Sequence, residues 1–334
     1  MSKSYNATRP FPPGVYVPLT TPFTQAEELD LPAWEAQIIR MVKAGVGLVL
    51  MGTNGEAAHL SSDERVTLIK SARAVLDKSG YPDVPLLVGT GTGSAKETIK
   101  LAKEAKEAGA DYSIVIHPGY FSFALGSNRV QALKEFFLEV LDKSVLPVMV
   151  YNFPAAASGI DLDSDTIKEL SNHPNCFGCK LTCAGIGKGN RIASYTQSEE
   201  YLSKHPPFQV FPGYCDYLLP ALVSGQTGTI CGTGNLFPCL VRELYDKSMK
   251  ALDGGSKADW KEAQRLQDLV SNAEWVIVKG GISGTKYALD KFIKQGLGGY
   301  VRKPLPAVTP EIQKMMEKEL QPVFALEASL KNVA

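Results

Sequence analysis

Short apolar, β-branched segments alternate along the chain with longer segments in which apolar residues recur at helical spacing. The strand-like segments begin near Val15, Val46, Pro85, Asp111, Leu146, Phe177, Phe208 and Gln226, at intervals of 18 to 39 residues. A strand, a helix and their connections take about 30 residues, so this rhythm predicts parallel βα units. The helix starts carry matching signals. Asp30 precedes Leu31-Pro32, and proline suits a first helical turn. Ser61 with Glu64, and Ser94 with Glu97, fit capping boxes, and Ser164 is placed to cap the helix carrying Ile167 and Leu170. Eight such strands favour a closed (β/α)8 TIM barrel over an open doubly wound sheet, which shares the same alternation. Beyond about Pro238 the strand signals fade, and helices are predicted over 239–252, 257–278, 283–295 and 309–331. The expected organisation is an α/β chain: a barrel over 14–238 that holds the active site, then a C-terminal helical domain over 239–334.

Composition narrows the class of function. The 334 residues are 44% hydrophobic and 21% charged, ordinary for a folded globular chain. Lys+Arg and Asp+Glu both number 35, so the basic footprint of a nucleic-acid or anionic-membrane binder is missing. The longest apolar runs, such as Val46–Met51, are strand-sized and far short of the roughly 20 residues that span a bilayer. The first thirteen residues lack the apolar core of a secretory signal. They hold Lys3 and Arg9 without an acid, which leaves a short organelle-targeting segment open. Six cysteines in such a chain read as reduced thiols, and the expected location is the cytoplasm.

Three constellations offer chemistry. Lys180 is the only formally charged side chain between Ser171 and Gly187, taking His173 as neutral. A strand-end lysine usually snorkels to solvent. At the end of the sixth strand of a barrel it instead stands at the face where barrel active sites are built. A lysine in an apolar pocket loses its proton more readily, and the free amine attacks carbonyls. Tyr151 closes the fifth strand. A strand tyrosine is usually a core residue with a satisfied hydroxyl; at this mouth its phenol is placed to relay protons. Gly52-Thr53-Asn54-Gly55-Glu56 follows the second strand, and such a turn exposes backbone N–H groups that can hold a carboxylate.

Other motifs fail. Gly89-Thr-Gly-Thr-Gly-Ser lacks the third glycine of a dinucleotide fingerprint at the right spacing, and the stretch from Gly280 departs from a P-loop at Thr285 and Tyr287. Asp161-x-Asp163-x-Asp165 lacks the glycine and terminal Glu of a calcium loop. Cys176 and Cys179 have no second pair, and on a regular strand residues three apart point to opposite faces, so no shared ion is expected. The four histidines show no metal spacing, and no metal or cofactor is expected. Between His205 and Arg242 there is no Lys or Arg, which disfavours a phosphorylated substrate in the loops after strands seven and eight.

Gly52-Thr-Asn-Gly-Glu, Tyr151-Asn-x-Pro and Gly178-x-Lys180 fall in an order and spacing that resembles the dihydrodipicolinate synthase / N-acetylneuraminate lyase superfamily. Pro118-Gly-Tyr120, Gly213-Tyr-x-Asp216, Gly228-Thr-Ile230 and Arg302-x-Pro304 extend the match over about residues 14–320. The resemblance implies a (β/α)8 barrel with C-terminal helices, usually a homotetramer, acting through a Schiff-base lysine on a small 2-oxo acid. Carried over by position, Lys180 resembles the Schiff-base lysine and Tyr151 the proton-relay tyrosine. Thr53 resembles the hydroxyl that links Tyr151 to Tyr120, often from a neighbouring subunit. Thr53 and Asn54 resemble the backbone donors to the pyruvyl carboxylate, and Gly213 and Ile230 line the site. Asn54 stands where many members have Thr or Ser. Ala156 stands where the lysine-biosynthetic synthases carry an arginine for a second carboxylate.

Residues 151–161 are similar to the fungal branch of 2-keto-3-deoxy-L-galactonate (L-threo-3-deoxy-hexulosonate) aldolases of D-galacturonate degradation, and are not far from 4-hydroxy-2-oxoglutarate aldolases. The expected activity is that of a class I aldolase, a lyase that cleaves a 2-keto-3-deoxy sugar acid to pyruvate and glyceraldehyde. The alternative is 4-hydroxy-2-oxoglutarate cleavage to pyruvate and glyoxylate. Two other classes, a non-catalytic 2-oxo-acid-binding regulator and a phosphate-binding barrel isomerase, are disfavoured by the intact Lys180, Tyr151 and Thr53 and by the cation-free loops.

Overall fold

A computed structural model of the chain describes residues 5–331. Strands and helices alternate: β1 (Gly14–Pro18), α1 (Leu31–Lys43), β2 (Gly47–Leu50), α2 (Ser62–Lys78), β3 (Leu86–Gly89), α3 (Ala95–Ala108), β4 (Tyr112–Ile116) and α4 (Arg129–Lys143). Then follow β5 (Val148–Asn152), α5 (Ser164–Ser171), β6 (Cys176–Leu181), α6 (Ile186–Thr196), the short α7 (Glu199–Lys204), β7 (Gln209–Pro212), α8 (Leu218–Val223) and β8 (Gly228–Ile230). Every strand starts within two residues of its position in the hydrophobic pattern. The eight form one sheet in the order β7-β6-β5-β4-β3-β2-β1-β8, so chain neighbours lie side by side. This is a (β/α)8 barrel. Helices α9 (Pro238–Leu252), α10 (Lys257–Ala288) and α11 (Pro310–Lys331) follow it. At Gly281 (φ 60°, ψ −156°) α10 loses helical geometry, where the sequence separates two helices. No helix of the described residues is long and apolar enough to cross a membrane.

The caps set the helix starts. Asp30 accepts from Ala33 N (3.0 Å) ahead of α1, Ser61 and Glu64 form the reciprocal capping box of α2, and Ser94 accepts from Glu97 N at the start of α3. At α5 the expected cap is displaced by one residue. Asp163 caps it, accepting from Thr166 N (2.7 Å), and Ser164 is the first residue inside the helix. A carboxylate gains more than a hydroxyl from the positive end of a helix, and the Thr166 N–H holds the Asp163 carboxyl below its usual range.

Packing divides the chain into two compact units. The first comprises Met1–Pro13, Pro85–Gly213 and Pro220–Gly228. Its strands carry apolar residues on both faces. Outward, Val115, Val150, Cys179 and Val210 meet Phe137 of α4, Leu170 of α5 and Ile192 of α6 in a fully buried cluster. Burying each large side chain there stabilises by about 1.5–3 kcal/mol. Inward, the rings of Phe11, Tyr112 and Phe177 pack with centroids 4.6 to 5.2 Å apart.

Val148 pairs with Cys176 but Met149 pairs with Gly178, so Phe177 is an extra, bulged residue in β6. The bulge places Cys176 and Cys179 in the same outer cluster. Their expected placement on opposite faces is therefore wrong, because it assumed an unbroken alternation. Burial still keeps both sulfurs protonated, raising the Cys176 thiol to about 12 and pushing Cys179 up as well.

The second unit comprises Gly14–Val84, Tyr214–Leu219 and Thr229–Ala334. Trp34, Ile38 and Met41 recur along α1 at helical spacing and are fully buried, and Trp34 Nε1 donates to Leu68 O of α2 (3.1 Å). From α10, the buried Glu274 accepts from Cys215 N (2.7 Å), Asp216 N (2.6 Å) and Thr233 Oγ1 (2.8 Å), pinning the segments after β7 and β8. Burial, with Asp216 nearby, pushes its carboxyl up to about 7.

Candidate active site

In the first unit, β5 and β6 run parallel with Tyr151 paired to Lys180, and Lys180 is paired in turn to Phe211 of β7. Lys180 and Tyr151 are each 6% exposed. The Lys180 Nζ lies over the Tyr151 ring, 4.4 Å from its centroid. The ring stacks on Phe153 (centroids 5.9 Å apart), which fixes its plane. No described carboxylate forms an ion pair with Lys180. Among the described residues the Tyr151 ring is thus the group that faces this buried amine, and no counter-ion does.

Gly213, just past β7, donates its N–H to Leu181 O (2.9 Å). A Cβ at Gly213 would lie 2.0 Å from Thr182 Oγ1, so only glycine fits beside that hydroxyl. Thr182 Oγ1 is buried and has no hydrogen-bond partner among the described residues. Thr182 was not among the residues singled out from sequence, although it stands two positions past Lys180, where strand alternation puts it on the same face.

The segment after β5 makes a short turn over Pro154–Ala156, with Ala156 exposed. It is pinned at both ends. Ser158 Oγ donates to Gly119 O (2.8 Å). Asn152 Nδ2 donates to Asp161 (2.7 Å), and Asn152 Oδ1 accepts from Leu162 N (3.0 Å). Asp161 also pairs with Lys188, so the charge closest to this turn is already neutralised. Tyr120 is not brought to Lys180. It is 82% exposed, and its ring contacts Phe121 (centroids 5.0 Å apart) beside the exposed Phe123.

The second unit holds the remaining site residues. Met51 (φ 52°) and Glu56 (φ 51°) are both left-handed, and between them Gly52 to Gly55 form a tight turn at the end of β2. Glu56 N donates to Thr53 O (3.0 Å), and Ala57 N donates to Gly52 O (3.2 Å). Thr53 is exposed and Asn54 half-buried. The backbone N–H of Asn54 donates to no described residue. Its side-chain Nδ2 packs where a Cβ of Gly232 would sit (2.6 Å), which joins the turn to the segment after the fully buried Ile230. Among the described residues, no group of three or more His, Cys, Asp or Glu side chains is arranged to hold a metal ion.

The family model for the dihydrodipicolinate synthetase family matches residues 12–323. The chain is 37% identical over 343 residues to the "L-threo-3-deoxy-hexylosonate aldolase" of Aspergillus niger, covering 97% of this chain and 99% of that one. It is 38% identical over 330 residues to the "Probable 4-hydroxy-2-oxoglutarate aldolase, mitochondrial" of Emericella nidulans, with 98% and 99% covered. Among solved structures, a dihydrodipicolinate synthase family protein from Coccidioides immitis superposes with a TM-score of 0.80 at 32% identity, over 97% of this chain and 99% of that one. The prophage protein YagE of Escherichia coli K12, solved in complex with pyruvate, superposes with a TM-score of 0.77 at 29% identity, over 93% and 98%.

Proposed function

The chain belongs to the dihydrodipicolinate synthetase family, and on that premise we propose that it is a class I aldolase, a lyase that cleaves 2-keto-3-deoxy-L-galactonate to pyruvate and glyceraldehyde. The observation that carries this reading is the Lys180 amine, buried without a counter-ion among the described residues and seated 4.4 Å from the centroid of the Tyr151 ring. Lys180 adds to the C2 ketone and water leaves, giving a protonated imine. The C3–C4 bonding pair flows into that imine as an enamine, while the C4 hydroxyl gives up its proton through Tyr151 and becomes the aldehyde. Reprotonation at C3 and hydrolysis release pyruvate and restore the amine. By family resemblance the turn at Thr53 and Asn54 is assigned the substrate carboxylate, and Gly213 and Ile230 are assigned to the substrate-binding residues. Positioning of this kind supplies a large share of catalysis. No metal or cofactor takes part; the covalent imine is the electron sink.

The sugar-acid end sets the substrate. Residues 153–160 carry no charge, and Asp161 is already paired. A second carboxylate placed against them would meet no uncompensated cation, because Lys188 is already held by Asp161, and that is unfavourable. The two aldolase relatives are nearly equal in identity, so this pocket chemistry is what separates the readings. We expect kcat/KM for 2-keto-3-deoxy-L-galactonate to exceed that for 4-hydroxy-2-oxoglutarate on one preparation. A tenfold preference in the opposite direction, about 1.4 kcal/mol, would replace this reading with the 4-hydroxy-2-oxoglutarate aldolase.

The exposed Tyr120, Phe121 and Phe123 support a homo-oligomer, a tetramer by family resemblance, in which Tyr120 reaches a neighbour's Thr53. Equilibrium sedimentation is expected to show a homo-oligomer. A monomer with full activity at the same concentration would refute it. All six cysteines are free, which supports a reducing compartment, and we place the enzyme in the cytoplasm.

A further inference from the structure

Glu56 ends the Gly52–Glu56 turn, yet its carboxylate does not face solvent. The side chain is 0% exposed, and that of Lys286 on α10 is 1% exposed. Lys286 Nζ donates to Glu56 Oε1 at 2.5 Å and to Tyr300 O at 2.6 Å, and it lies over the Phe23 ring, 4.5 Å from the centroid. The other carboxylate oxygen accepts the backbone N–H of Arg302 (3.0 Å) and faces His59 Nδ1 (3.0 Å). The Arg302 guanidinium in turn holds Glu64 and His59 O (2.9 Å). Donors from three separate stretches of chain thus converge on one side chain, two positions past Asn54.

A buried ion pair is a poor general stabiliser, because desolvation offsets the attraction; its clearer use is to enforce one geometry. Here there is a geometry to enforce. Left-handed backbone at a non-glycine residue persists only where its surroundings over-determine it. Glu56 is left-handed, and its N–H closes the turn onto Thr53 O. Fixing its carboxylate from three sides therefore fixes the backbone that carries Thr53 and Asn54.

We propose that Glu56 and Lys286, with the backbone of Arg302, are a positioning set that holds the Thr53–Asn54 turn in the conformation that receives the substrate carboxylate. This rests on the carboxylate role given to the turn above. Neither side chain touches the reacting atoms. Their effect is specific to substrates that bear a carboxylate.

The test measures the rate of borohydride trapping with pyruvate and with hydroxyacetone, a ketone without a carboxylate, in the parent and in Glu56→Gln/Lys286→Met. The double variant removes both charges together, so no buried charge is stranded. Glu56→Gln alone is read in the same way should the double variant not fold. The parent is expected to prefer pyruvate, and the variant to lose that preference at least tenfold while its trapping of hydroxyacetone stays within a few-fold. A folded variant that keeps the parent's preference, or that loses both reactions equally, would overturn the positioning role. A parent that shows no preference for pyruvate would instead overturn the carboxylate role of the turn, and the proposal with it.

Discussion

Lys180→Met is expected to lower turnover by at least about 10⁴-fold, the scale of losing a covalent nucleophile, while the protein melts at the parent temperature or above it. The two outcomes belong together. Lys180 is 6% exposed and has no ion-pair partner among the described residues. Methionine is one atom shorter, has no charge to desolvate and offers the Tyr151 ring a thioether in place of the ammonium, so the fold loses little by the exchange. A structural lysine in this position would show the reverse: a lower melting temperature and activity falling only in proportion to unfolding. Lys180→Arg should be as inactive as the methionine variant, because a guanidinium stays protonated and cannot form the imine. Steady-state cleavage and a thermal melt on the same preparations decide the matter. Turnover within tenfold of the parent in either variant would remove Lys180 from the chemistry.

Tyr151→Phe separates bond cleavage from imine formation. The ring that stacks on Phe153 and lies under the Lys180 amine is retained, so the site keeps its shape and pyruvate still forms its adduct. Only the hydroxyl is lost. A positioned acid–base group contributes about 10²–10⁴-fold, and turnover is expected to fall by that much. Rapid-quench measurement of imine formation beside steady-state turnover distinguishes the steps. Equal losses in both would mean that Tyr151 orients the lysine and does not relay the proton. No loss would make it a packing residue.

The barrel was legible because each strand is a short apolar block bounded by caps and turns, signals that act over a few residues. Lys180 stands out locally as a charged group in an otherwise uncharged strand, whereas Tyr151 is an ordinary strand tyrosine that stands out only through its place at the barrel mouth and its motif; the structure puts the two side by side. What escaped depends on geometry that local pattern does not encode. The bulge at Phe177 reverses the facing of the residues before it, and it undid the inference about Cys176 and Cys179. At α5, Asp163 and Ser164 are adjacent and both can cap, and the choice between them turned on the helix end field. Thr182 looks like any strand threonine until Gly213 is seen against its unpartnered hydroxyl. The Glu56–Lys286 pair spans 230 residues of chain and leaves no mark in either segment. Tyr120 has the motif of a site residue but stands exposed in a single chain.

The chain holds a second buried lysine, and it sharpens the central test. Lys286 is 1% exposed but locked to Glu56, whereas Lys180 has no such partner. Incubation with pyruvate and borohydride, followed by proteolysis and peptide mass analysis, reads out which amine is nucleophilic. Inactivation is expected together with one reduced pyruvyl group on the peptide that contains Lys180, and unmodified peptide at Lys286. An adduct on Lys286 or on any other lysine, or full retention of activity with no adduct, would contradict the nucleophilic role of Lys180.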